Sequence, residues 1–171
     1  MKGRGAQINT DNPFSKHRSA RHPDLTFSKP VEEVNTEYLE THAKTIINKV
    51  DSPDIGLEYS MNPYQGCEHG CVYCYARNTH PYWGYSAGID FESKILVKRD
   101  APQLLTKKLS NPNWVVAPIM LSGNTDCYQP VEAKLKITRQ LLEVLERFHH
   151  PVGVITKSAL ILRDKDILSR M

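Results

Sequence analysis

No apolar run in the 171 residues approaches the roughly 20 needed to cross a bilayer as a helix, so no membrane span is expected. The first residues are basic, with Lys2 and Arg4, but no apolar stretch follows them, so a secretory signal is not expected either. Neither sign of charge is in large excess, with 22 Lys and Arg against 19 Asp and Glu. The net value is +3, too small to make a global field that recruits nucleic acid. The chain has no repeat of fixed period, no G-x-G-x-x-G and no G-x-x-x-x-G-K, which leaves out the dinucleotide and P-loop fingerprints. Cysteines number only four. With 40% hydrophobic and 24% charged residues, the composition is that of a folded globular chain long enough for one sizeable core. A reducing cytoplasm is the expected location, where clustered cysteines bind metal more often than they pair.

What is there is concentrated in one stretch, Asn62-Pro63-Tyr64-Gln65-Gly66-Cys67-Glu68-His69-Gly70-Cys71-Val72-Tyr73-Cys74-Tyr75-Ala76-Arg77. Three of the four cysteines lie here, spaced C-x3-C-x2-C, while Cys127 stands far downstream. Thiolates are soft ligands, so the candidate centres are zinc or an iron–sulfur cluster. Structural zinc wants four protein ligands, and His69 or Cys127 are the available fourth donors. A disulfide framework is also open on cysteine parity alone. An iron–sulfur cubane takes three protein thiolates and leaves one iron for another ligand. Gly66 and Gly70 permit the tight turns such a loop requires.

The C-x3-C-x-Tyr-C arrangement, with Tyr73 just before the third cysteine, resembles the signature of radical S-adenosylmethionine enzymes. The wider pattern is similar to the branch of proteins like spore photoproduct lyase. It is carried by residues 62–77, by Ser86-Ala87-Gly88-Ile89-Asp90-Phe91-Glu92 and by Leu121-Ser122-Gly123-Asn124-Thr125-Asp126-Cys127-Tyr128-Gln129-Pro130, within a region running from about residue 51 to the end. The resemblance implies a [4Fe–4S] cluster on Cys67, Cys71 and Cys74, with S-adenosylmethionine on its fourth iron. One electron from a separate donor then cleaves the sulfonium and yields a 5′-deoxyadenosyl radical. It further implies cofactor-binding roles for Tyr73, Ser122, Thr125, Asp126 and Lys157, and a hydrogen-donor role for Cys127 as a catalytic residue. The implied substrate is unknown and includes nucleic acid. A contrasting function is a non-catalytic zinc-binding interaction module.

The expected fold class is α/β, a partial (β/α) barrel of the radical S-adenosylmethionine type. Residues 1–50 form an N-terminal extension, partly disordered and then helical over 31–49; residues 51–171 form the barrel portion. Lys2, Arg4, Lys16, Arg18 and Arg21 make the extension basic, readable as a solvated tail or as an arm on a nucleic acid backbone. The pieces Arg4-Gly5-Ala6 and Asn12-Pro13-Phe14 resemble the leader of the same relatives, which implies packing instead. Downstream, a turn is expected at Asp51-Ser52-Pro53-Asp54, strands over 56–61, 95–98, 115–121 and 152–156, and helices starting near Cys74, at Asp100, over 134–148 and from Asp164. The aromatics Tyr82, Trp83 and Tyr85 read either as a cap on a barrel mouth or as a stacking surface. Alternating strand and helix argue parallel βα units, whose functional loops follow the strands. The cysteine loop, residues 122–130 and Lys157-Ser158 are therefore expected to converge. After Cys74 only 97 residues remain, room for about three βα units of roughly 30 residues. The expectation is a truncated or incomplete barrel, with a separate C-terminal half as a partner.

Overall fold

The computed structural model describes residues 4–16, 34–51 and 56–171. Lys2, Arg18, Arg21 and most of the turn at Asp51-Ser52-Pro53-Asp54 lie outside the described residues. In chain order the elements are β1 (Glu37–Glu40), β2 (Ile47–Lys49), β3 (Tyr59–Met61), β4 (Tyr64–Gln65), a 3₁₀ segment (Tyr75–Trp83), α1 (Ile89–Ser93), β5 (Lys94–Val97), α2 (Ala101–Leu109), β6 (Ile119–Leu121), α3 (Glu132–Leu135), α4 (Ile137–Arg147), β7 (Val152–Val154), a second 3₁₀ segment (Ala159–Asp164) and α5 (Lys165–Leu168). This is a mixed α/β fold with mixed sheets, and no closed barrel forms among the described residues.

Of the helix expected over 31–49, none forms among the described residues 34–49. Its described part carries β1 and β2 instead. Val34, Leu39, Ile46 and Ile47 never made a regular helical stripe, and Thr36, Tyr38, Thr41 and Thr45 favour extended backbone. Ile47 is buried where β2 runs antiparallel to β3, directly opposite Met61. A long-range partner thus decides the local structure.

The described chain divides into two compact units. The first takes the described residues of Met1–Tyr38 together with Gly66–Ile95. It holds the cysteine loop, the first 3₁₀ segment and α1. Its small apolar core is Cys67, Ala76 and Phe91, with Cys74 packed against it. Residues 4–16, part of the extension expected to be disordered, are hydrogen-bonded within this unit.

The second unit takes Leu39–Gln65 and Leu96–Met171. Its sheet runs β2-β3-β6-β7, with β3, β6 and β7 parallel in the register Tyr59↔Ile119↔Val152. Helices lie on each crossover. In α2, Pro102 sits in the first turn, where its missing N–H costs nothing, and Lys107 and Lys108 sit in the last turn, where cations suit the helix dipole. Leu105 and Leu109 are buried, and α2 packs on α4. α4 buries Ile137, Leu141, Leu142, Val144 and Leu145, each worth about 1.5–3 kcal/mol when fully enclosed. The helix expected over 134–148 is broken at Lys136, whose φ of 53° divides α3 from α4. The strand expected over 115–121 is reduced to β6, because Pro118 cannot donate to a ladder and Val115 and Val116 stay exposed.

Candidate metal and cofactor site

The cysteine loop is built from tight turns. Gly66 has φ 80° and Gly70 φ 62°. A Cβ at Gly66 would lie 2.9 Å from the Lys94 carbonyl oxygen, so no larger residue fits there without a shift. The Cys67 N–H donates to the Phe91 carbonyl at 2.8 Å, and the Cys74 N–H to the Cys71 carbonyl at 3.3 Å. All four cysteines are free thiols. Cys67 is buried against Phe91, whereas Cys71 and Cys74 are half-buried. Val72 and Tyr73 between them are exposed, Tyr73 by 82%.

Arg77 and Glu92 fix this loop from behind. Arg77 Nε and Nη2 donate to the Cys71 carbonyl at 3.2 and 3.0 Å, and Nη1 donates to the Gly88 carbonyl at 3.2 Å. Nη2 also closes an ion pair with the fully buried carboxylate of Glu92. His80, fully buried beside Phe91 and Tyr85, completes the rear wall. Burial pushes its imidazole down to about 4, while the Asp90 carboxylate pulls weakly the other way.

The chemistry of this donor set suits a soft metal centre: three thiols on one loop, two against an apolar wall, and no competing disulfide. Among the described residues, no three His, Cys, Asp or Glu side chains stand together as a ready ligand group. Binding one centre therefore requires the cysteine side chains to turn toward a common point.

The second unit carries the other expected residues. Ser122 directly follows β6 and lies in the left-handed region at φ 75°. Its hydroxyl donates to the Thr125 carbonyl at 2.6 Å and accepts the Cys127 N–H at 3.1 Å. Thr125 Oγ1 donates to the Tyr64 carbonyl at 2.7 Å. Asp126 Oδ1 accepts from Thr156 Oγ1 at 2.7 Å and from the Tyr128 N–H at 2.8 Å, and Oδ2 accepts the Lys157 N–H at 3.1 Å. The loop after β6 and the loop after β7 therefore meet, as the strand–loop pattern predicts, and Lys157 is exposed there. The cysteine loop belongs to the first unit. Cys127 is wholly buried. Burial pushes its thiol up, reinforced by Asp126, so it is protonated at neutral pH.

Several residues that hold these loops escaped sequence reading. Asn62 Oδ1 accepts the N–H groups of Gly123, Asn124 and Thr125, each at 3.3 Å, and its main-chain carbonyl accepts from the buried Lys98 ammonium at 3.0 Å. Glu132, fully buried, accepts from Tyr64, from the Thr138 N–H at 3.0 Å and from Arg163 at 2.7 Å. Arg163 and Arg139 share the buried Asp164, which also accepts from the Tyr128 hydroxyl at 3.1 Å. Asn62 and Glu92 lie inside the stretches 62–77 and 86–92 that carry the resemblance, and that is their signal. The Glu132–Arg163–Asp164 network carries no such signal, since Glu132 lies 31 positions from Arg163.

No family model matches the chain, and no solved structure matches it. Among curated proteins, an uncharacterized protein of Mycobacterium tuberculosis is 32% identical over 131 residues, 76% of this chain and 38% of that protein. An uncharacterized protein of Methanocaldococcus jannaschii is 32% identical over 134 residues, 78% of this chain and 48% of that protein. The chain thus spans less than half the length of these relatives.

Proposed function

We propose that this chain is an iron–sulfur protein of the radical S-adenosylmethionine type, similar to the spore photoproduct lyase branch, in which Cys67, Cys71 and Cys74 hold a [4Fe–4S] cluster. The observation that carries the reading is three free thiols on one loop, C-x3-C-x2-C, turned by two glycines at positive φ. When bound, such a cluster supplies one electron for reductive cleavage of S-adenosylmethionine. The chain's own residues would do the rest. Phe91 and Ala76 form a dry wall behind Cys67 and Cys74. The parallel run β3-β6-β7 with helical crossovers supports reading the second unit as part of an open (β/α) barrel.

In this reading the Ser122 hydroxyl, engaged within its loop, and the Thr125 hydroxyl, engaged with the Tyr64 carbonyl, shape that loop, and Asp126 ties it to the loop after β7. Taken unit by unit, the exposed Lys157 ammonium of the second unit has the charge that suits a carboxylate, and the exposed Tyr73 ring of the first is of the kind that stacks on a purine. Cys127, kept protonated by burial, retains the S–H bond that a hydrogen donor needs. An electron donor is a required partner; the substrate, nucleic acid included, rests on the resemblance. The test is anaerobic reduction with S-adenosylmethionine, scored by 5′-deoxyadenosine formed. Formation that disappears in Cys71→Ala supports the proposal; none from an iron-loaded, reduced chain that binds S-adenosylmethionine contradicts it.

A further inference from the structure

Residues 4–10 lie along the first unit and are bound to it at every few residues. Arg4 donates to the Glu92 carbonyl, to the Val34 carbonyl at 3.0 Å and to Thr36 Oγ1 at 3.0 Å. The Gly5 N–H donates to Glu92 Oε2 at 3.0 Å and the Ala6 N–H to Glu92 Oε1 at 2.9 Å. The Ile89 N–H donates to the Ile8 carbonyl at 3.3 Å, and Asn9 and Asp90 exchange two bonds at 2.9 Å. The Thr10 N–H donates to Ser86 Oγ at 2.7 Å.

The strap meets the cysteine loop at two points. At Gly5 the backbones touch: a Cβ there would stand 2.0 Å from the Gly70 carbonyl oxygen, and Gly70 directly precedes Cys71. At Glu92 one buried carboxylate is shared. Oε1 and Oε2 take the strap's two N–H groups, and Oε1 also takes Arg77, whose other N–H groups hold the Cys71 carbonyl. A carboxylate with no exposed surface is tolerable only while these donors surround it. Losing the strap removes two of them and loosens the side chain that orients Arg77.

We propose that the N-terminal strap, through Gly5, Glu92 and Arg77, is a positioning clamp for Cys71. Without it the cysteine loop is not held for metal binding. The statement about metal rests on the cluster reading above; the coupling between strap and loop does not.

The experiment compares the full chain with Gly5→Ala and with Gly56→Ala as control, since a Cβ at Gly56 meets nothing within 4 Å. In metal-free protein, amide exchange and the alkylation rate of each cysteine are followed by mass spectrometry. Gly5→Ala is expected to speed exchange about tenfold or more over both 4–10 and 67–77, to speed Cys71 alkylation severalfold and to leave α4 as protected as in the parent. Glu92→Gln, which replaces one acceptor oxygen by a donor amide, should do the same with no change of volume. Iron retained after anaerobic reconstitution should fall in both variants and stay at the parent level in Gly56→Ala. Loosening confined to residues 4–10 in both variants, or spread equally to α4, overturns the clamp. Coupled loosening in a chain that takes no iron in any form keeps the clamp and ends the cluster reading. Iron uptake without coupling does the reverse.

Discussion

Asn62 and Thr125 tie two segments together: Asn62 Oδ1 accepts the Thr125 N–H at 3.3 Å, while Thr125 Oγ1 donates to the carbonyl of Tyr64, two residues past Asn62. The loop that follows β6 is thereby locked to the end of β3, and Gly123 and Asn124 add two further N–H groups to the same side-chain oxygen.

Asn62→Ala leaves the buried Thr125 N–H without an acceptor and frees the loop. The expected cost is about 2 kcal/mol, read as a lower urea midpoint at unchanged slope. Asn62→Asp, which keeps the acceptor, should lose less. A midpoint unchanged in Asn62→Ala would show that this lock contributes nothing.

Cys127 is enclosed by protein and protonated. Cys127→Ala should leave iron content unchanged and cost about 1–2 kcal/mol through the small cavity. In the folded parent, Cys127 should be the slowest of the four cysteines to alkylate. Loss of iron in this variant would show that the ligand set is larger than three.

The folded-state pKa of His80 lies at about 4, below the ordinary value near 6.5. The unfolded chain therefore binds the proton more readily. Stability contributed by neutral His80 is complete above pH 6.5 and is lost as pH falls from 6.5 toward 4. Thermal melts of metal-free protein should show this decline, and His80→Leu should flatten it in that window. An equally steep decline in the variant would place the titrating group elsewhere.

Legibility in the sequence tracked the range of the deciding interaction. Asp100 and Pro102 before an apolar stripe announced α2, and the strand expected over 95–98 from its own residues forms one position earlier as β5. The meeting of the loops at Asp126 and Lys157 followed from strand order. Where the partner was distant, the pattern misled. Residues 31–49 read as helical, whereas β3 supplies Ile47 with a strand neighbour, and the strap at residues 4–10 is held by Glu92, Asp90 and Ser86, more than 70 positions away. Lys136 breaks a helix at φ 53° with a residue type that gives no such warning. The cysteine spacing was plain throughout, but whether the thiols close on one centre is a property of rotamers and of the metal.

The most direct test of the central claim is metal content with the visible spectrum after anaerobic reconstitution with iron and sulfide. The account predicts a brown protein with about four irons per chain, and near-complete loss of iron in each of Cys67→Ala, Cys71→Ala and Cys74→Ala. A colourless chain that holds zinc and refuses iron would contradict it.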